Sequence, residues 1–366
     1  MSSIRVSLQK NLVRCMFMST LAVVLLRGGI ADAAALAHNC GQWDVIPNPG
    51  QGGLLAVTMV PGTTRDVWTV GYTPHGARVE HWNGKQWHIV PNPYTQPLLA
   101  ITAVSATDIW ATGYGGSIMR WNGKTWHFVP SPSNVTSLNG MATVFANDAW
   151  AVGRHDLGGN HTHPIIEHWD GIAWSLFPSP NVDGGLLAIT AISANDVWTV
   201  GYGLSRQLVE HWDGTAWSLI PTPGPPHNCG VYPTGIAAIS TNDIWMVGSY
   251  LIACDDFPYH TLAEHWNGSQ WRVISTPKPV IPDTFSQLHA VAAAAPNNVW
   301  AVGVSDEKTL TEHWDGNQWS FVKSPDPEKL FDDLDAVAAT STGDFWAVGV
   351  SLNDGGTNFP STDFYC

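Results

Sequence analysis

One order of apolar and polar positions keeps returning along residues 40–366. In its clearest copy a small-apolar run at 98–104 leads to the polar turn Ser105-Ala106-Thr107-Asp108 and a second apolar run at 109–114. After a gap, residues 117–121 and 125–129 form two more short runs around Asn122-Gly123, and Pro130 stops the last. Short runs bounded by Gly, Pro, Asn and Asp predict strands, four per unit, here lettered A to D. No 3.6-residue periodicity appears, and 35 Gly with 25 Pro in 366 residues argue against long helices. Asn-Gly between C and D predicts a two-residue type I′ hairpin, which would set Glu80 opposite Trp87.

The unit is marked by Ser-x-Asn-Asp-x-Trp-x-Val-Gly and then Glu-His-Trp-(Asn/Asp)-Gly-x-x-Trp. Its first Trp stands at Trp68, Trp110, Trp150, Trp198, Trp245, Trp300 and Trp346, at spacings of 42, 40, 48, 47, 55 and 46. Pairs five apart follow, from Trp82/Trp87 to Trp314/Trp319, and Trp43 completes the twenty. Every Trp therefore belongs to the repeat, and none is left over to mark a cofactor or substrate site. Four short strands per period of 40–55 residues predict an all-β fold, a seven-bladed β-propeller over residues 40–366. Six units are complete. The seventh has strands at 334–338, 344–350 and 362–365, and its missing D strand lies at the other end, where 41–49 match 85–93. The N-terminal strand thus completes the last blade, which removes open sheet edges.

Residues 1–37 follow a different pattern. Arg5, Lys10 and Arg14 precede an apolar run of about twelve residues, and small residues follow at 31–37. This is the layout of a secretory signal peptide, and the run is short of the roughly twenty residues a membrane span needs. The expectation is an exported, soluble, monomeric chain with no membrane span once mature. Its formal charge of −14, more negative after cleavage, and its sixteen scattered Lys and Arg exclude duplex nucleic acid as a partner. Four Cys remain in the mature chain, and an even count in an exported protein suggests disulfides. Aligned on the repeat, Cys366 and Cys40 fall on the Asn/Asp and Gly of the seventh C–D turn, so a Cys40–Cys366 bond would restore the one turn the chain interrupts. Closing nearly the whole chain is worth on the order of 4–5 kcal/mol in the loop model. Cys229 and Cys254 would then join two loops of blade five.

At these motifs the chain resembles Trp-rich bacterial propellers of the tectonin and Asp-box (BNR-like) kind. Residues 108–126 look like a tectonin repeat, and Asp213-Gly214-Thr215-Ala216-Trp217 like a degenerate Asp-box. The resemblance implies the propeller fold, and among functions it implies lectins, assembly factors and glycosidases, a choice that fold does not make.

Glu-His-Trp recurs five times, from Glu80-His81-Trp82 to Glu312-His313-Trp314, with Met119-Arg120 in blade two. Neighbouring residues on a strand face opposite ways, so each Glu-His pair is read as architecture, the His a buried hydrogen-bonding group that reaches the Ser or Asp of a B-strand turn. Function is expected where the repeat breaks, on the rim that carries the variable B–C and D–A connections. Three features stand there. The blade-three connection at 154–164 holds His155, His161 and His163, which could offer imidazole nitrogens to a metal. The long blade-five loops hold Cys229, Cys254 and His260. One position early in strand A reads Leu55, Leu99, Asn139, Leu187, Thr234, His289 and Asp335, so His289 and Asp335 of neighbouring blades could meet at the channel mouth and orient a polar ligand. Asn139 is the other polar candidate on that ring. No P-loop, zinc-protease helix, Gly-x-Ser-x-Gly elbow or paired CxxC is present. The reading is a recognition module without cofactor that binds glycan, or alternatively a protein partner. Catalysis on glycans ranks third and metal content is left open.

Overall fold

The computed structural model describes residues 40–132, 135–158, 161–180, 183–203, 206–226, 229–252, 259–278, 285–326, 331–340 and 342–366. These residues form seven four-stranded antiparallel sheets, with no helix among them. Blade one comprises Gly53–Met59, Val67–Thr73, Gly76–Trp82 and Trp87–Ile89. The blade-two strands, Leu98–Ser105, Asp108–Gly113, Ile118–Trp121 and Trp126–Val129, lie within two residues of expectation. The A strands of successive blades pack on one another, and that of blade one packs on that of blade seven, so the ring is closed.

Closure is made where the repeat predicts it. Blade seven is ordered Phe331–Ala339, Phe345–Leu352, Asn358–Tyr365 and then Trp43–Val45. Trp43 pairs with Tyr365, Asp44 with Phe364 and Val45 with Asp363. The Gly41 amide donates to the Cys366 carbonyl at 3.0 Å, and Cys40 and Cys366 form a disulfide with their Cα atoms 4.7 Å apart. Cys229 is also disulfide-bonded; Cys254, its expected partner, lies outside the described residues, as does the expected signal segment.

The C–D turn departs from expectation. Trp121 pairs with Trp126, and Trp82 with Trp87, so the turn holds four residues and Glu80 stands opposite Ile89. Only the Gly has positive φ, +87° at Gly123. The Asn122 side chain accepts hydrogen bonds from the Lys124 and Thr125 amides, both at 3.0 Å. This Asx cap makes a longer turn self-sufficient where the sequence suggested a shorter one. The two-positive-φ turn occurs elsewhere, at Asp306 and Glu307 between the paired Ser305 and Lys308. A Cβ on Gly123 would sit 2.9 Å from the Thr107 side chain, because A–B and C–D turns share one rim. The B–C and D–A connections meet on the other, as where the Tyr94 hydroxyl donates to the Tyr114 carbonyl.

Tryptophan fills every blade interface near the A–B/C–D rim. Each B-strand Trp is buried and packs on the Trp pair flanking the next blade's C–D turn. Trp110 lies 5.2 Å from Trp169 and 5.5 Å from Trp174; Trp245 lies 4.8 Å from Trp314 and 5.3 Å from Trp319. The D-strand ring stands edge-on, at 85° and 87° in these two trios, setting the positive edge of one ring against the negative face of the other. At the seam Tyr365 takes the place of the missing C-strand Trp, 4.4 Å from Trp300.

Candidate functional site

The repeated Glu-His-Trp motif serves the scaffold. His81, His168, His211 and His265 bond the Asp66, Asp148, Asp196 and Asp243 carboxylates at 2.7, 2.8, 2.9 and 2.8 Å, and His313 bonds the Asn298 amide oxygen at 3.0 Å. Each imidazole also covers its own blade's B-strand Trp, as His81 stacks on Trp68 at 4.4 Å. These His are half-buried rather than buried. In blade two Arg120 keeps both contacts: it grips Asp108 with two bonds of 2.6 and 2.7 Å and lies 4.4 Å over Trp110.

The Glu of the motif is more deeply placed. Glu80, Glu167, Glu210, Glu264 and Glu312 are all fully buried on the face toward the preceding blade. After the D strands of blades seven, two and three the tail residue reaches across to the Glu of the next blade. Asn48 donates to Glu80 at 2.6 Å, Ser131 to Glu167 at 2.9 Å and Ser179 to Glu210 at 2.9 Å. For Glu264 the donor is Gln207 at 2.8 Å, itself bonded to Thr222. Facing Glu312 of blade six, the blade-five tail residue Thr276 bonds Thr261 of its own blade instead, and neither oxygen of Glu312 has a hydrogen-bond partner among the described residues. Burial pushes Glu312 up to about 8, and it pushes Glu210 and Glu264 up to about 7 against the opposing bonds from Ser179 to Glu210 and from Gln207 and the Gly224 backbone to Glu264. The short tails Pro47-Asn48-Pro49, Pro130-Ser131-Pro132 and Pro178-Ser179-Pro180 are therefore inter-blade clasps.

Function is left to the other rim and the channel. Each A strand carries a β-bulge at the position singled out above. The register slips between Leu54 and Ala56, Leu138 and Gly140, Leu288 and Ala290, Leu334 and Ala336, and likewise in the remaining blades. The extra residue is half-buried in all seven, so water reaches this ring. Bulges re-aim side chains. Asn139 donates to the Leu186 carbonyl and Thr234 to the Leu288 carbonyl of the next blade, both at 2.8 Å. Leu55, Leu99 and Leu187 are apolar.

His289 and Asp335 are brought together, and Asp333 joins them. His289 Nδ1 is 3.1 Å from Asp333 Oδ1 and 4.0 Å from Asp335 Oδ1. Asp333 is missing from the sequence expectation; its signal is that residues two apart on a strand share a face. Burial opposes the charged imidazole, but Asp333, Asp335 and the Leu334 backbone outweigh it and push His289 up to about 9. Burial and the Asp333 charge push Asp335 up to about 7 against the pull of His289. The trio can hold a proton between acceptors or present an imidazole and two carboxylates to a cation.

The other candidates do not join it. Residues 154–158 and 161–164 are not an open loop: they belong to the strands Asp148–Gly158 and His161–Trp169, which pair with His155 opposite His163. His161 stands 3.6 Å from Asp183. Among the described residues the three His form no group of converging ligand atoms; the only such group is His289, Asp333 and Asp335.

Tyrosine is partitioned against tryptophan. Tyr72, Tyr202 and Tyr250 end B strands, Tyr114 follows one, Tyr94 lies in a D–A connection, and Tyr232 and Tyr259 open an A and a C strand. All seven therefore stand toward the variable rim, none fully buried; the eighth, Tyr365, is the seam residue. Tyr259 sits 5.9 Å from Tyr232 and 5.6 Å from Phe285 of the next blade, an aromatic group bridging blades five and six.

No family model matches the sequence, and no curated protein does. Solved structures match its fold. The WD40 repeats of RRP9 are similar with a TM-score of 0.61 at 13% identity, covering 91% of this chain and 98% of that one. YCF48 from Cyanidioschyzon merolae is similar with a TM-score of 0.57 at 14% identity, covering 89% and 99%. A GH74 xyloglucanase from Xanthomonas campestris is similar with a TM-score of 0.57 at 15% identity, covering 84% and 53%. At such identities the likeness is one of fold, and the chain is a seven-bladed β-propeller.

Proposed function

We propose that the chain is an exported, non-catalytic recognition module that binds neutral glycan on its B–C/D–A rim. One observation carries this reading: Trp is consumed by the blade interfaces, while Tyr is set on the rim whose connections vary. Tyr offers a flat apolar face for a sugar ring and a hydroxyl for its polar groups. An acidic surface disfavours anionic ligands. The Cys40–Cys366 disulfide supports an oxidising destination. The test is a glycan array with the mature chain, followed by titration of the best ligand. Tyr232→Ala and Tyr259→Ala should each weaken binding at least tenfold, while Phe145→Ala, exposed at an A–B turn, should not. Saturable binding that survives both Tyr substitutions, or no glycan binding at all, rejects the reading.

A protein-partner role is the second reading, and a separate observation favours it. The residue two after the D-strand Trp is an exposed apolar side chain in Val45, Ile89, Phe128, Leu176, Val273 and Phe321. These give most outer blade edges an apolar spot on a short edge strand, paired on its inner side only. Cross-linking that maps to these residues in place of the Tyr rim would support it.

A further inference from the structure

We infer that His289, Asp333 and Asp335 form a binding site for one divalent transition-metal ion of the zinc type at the mouth of the central channel. The three come from the A strands of two neighbouring blades and are aimed by bulges at 289 and 335. Their ligand atoms lie within 4.8 Å of one another. Ligands about 2.0–2.2 Å from a tetrahedral ion stand about 3.3–3.6 Å apart, so the 3.1 and 4.0 Å separations bracket what the ion requires.

A second observation points the same way. Asp333 is only 8% exposed. Its Oδ1 and the facing His289 Nδ1 are closed to water, and neither makes a well-directed hydrogen bond. Two polar atoms are thus held face to face, at ion-pair distance, without the directed bond that buried polar groups normally make. A cation between them would satisfy both.

The donor set selects the ion. One imidazole nitrogen with two carboxylates suits zinc and its neighbours, whereas calcium takes oxygen ligands alone. The side chains of His289 and Asp335 are 21% and 25% exposed, which leaves room for water or a ligand group to complete the shell. The inference stands apart from the glycan reading, because metal content and sugar binding are measured separately and either can fail alone.

The test is calorimetric titration of the metal-stripped full chain with ZnCl2 and with CaCl2. One equivalent of Zn2+ should bind, and Ca2+ should not compete. His289→Ala and Asp333→Asn should each weaken Zn2+ binding at least tenfold, with the same result for Asp335→Asn if a more buried variant fails to fold. His161→Ala combined with His163→Ala should leave that equivalent in place. The site is overturned if the wild-type chain binds no stoichiometric Zn2+, if the trio variants bind as the wild type does, or if binding is lost with His161 and His163 instead.

Discussion

Trp346 of the last blade meets Trp82 of the first with ring centroids 5.3 Å apart. Their residues lie at opposite ends of the chain, yet the contact repeats what Trp110 and Trp169 make in mid-chain. The ring therefore closes with the same packing it uses everywhere else. Trp346→Ala should cost about 3–5 kcal/mol, the range for deleting a buried aromatic, and so should Trp110→Ala. Ile172→Ala, at an 87% exposed turn position, should shift a urea midpoint hardly at all. Equal midpoints for Trp346→Ala and Ile172→Ala would show that the seam is not packed.

The disulfide holds the strand that closes blade seven. Cys40→Ser should lower stability by about 2–5 kcal/mol. Hydrogen exchange should show the change first at residues 43–45, whose strand is only three residues long. Unchanged protection there would mean that backbone pairing alone secures the closure.

Arg120 stands in for a His. Arg120→His should be nearly neutral, because His–Asp is the pairing of four other blades. Arg120→Ala should cost about 1–3 kcal/mol by leaving the part-buried Asp108 without its partner. Chemical denaturation of the two variants separates contact from mere occupancy.

Stability should fall as the solution becomes alkaline. Glu312 is raised from 4.5 to about 8 by burial. A group raised on folding lends stability below its unfolded value and loses it as pH climbs through the folded one. Glu210 and Glu264, raised to about 7, act in the same sense. His289, raised from 6.5 to about 9, also loses its contribution as pH rises. Urea midpoints should therefore decline between about pH 5 and pH 9. Glu312→Gln should raise the midpoint at pH 9 and leave it little changed at pH 5, and an equal effect at both would reject the raised carboxyl.

The blade count and the sewn ends were legible because Trp and turn residues recur at fixed offsets. The His–Asp bond was legible too, since strand alternation sends the His away from its Glu. The buried Glu was harder to place, because its partner Ser131 or Ser179 lies in the preceding repeat, over thirty residues away. The C–D turn was misjudged because Asn-Gly signals a short hairpin by its dihedrals, while the Asn side chain here caps a longer one. Asp333 went unnoticed because the bulge position was aligned without its neighbour two residues before.

Residues 40 and 366 both emerge beside C–D turns, on the tryptophan side of the disc. Any surface, bead or fusion attached through either of them leaves the tyrosine side pointing outward. Anchored through either residue, the propeller becomes a layer of like-oriented rings whose tyrosine rims all face the solution.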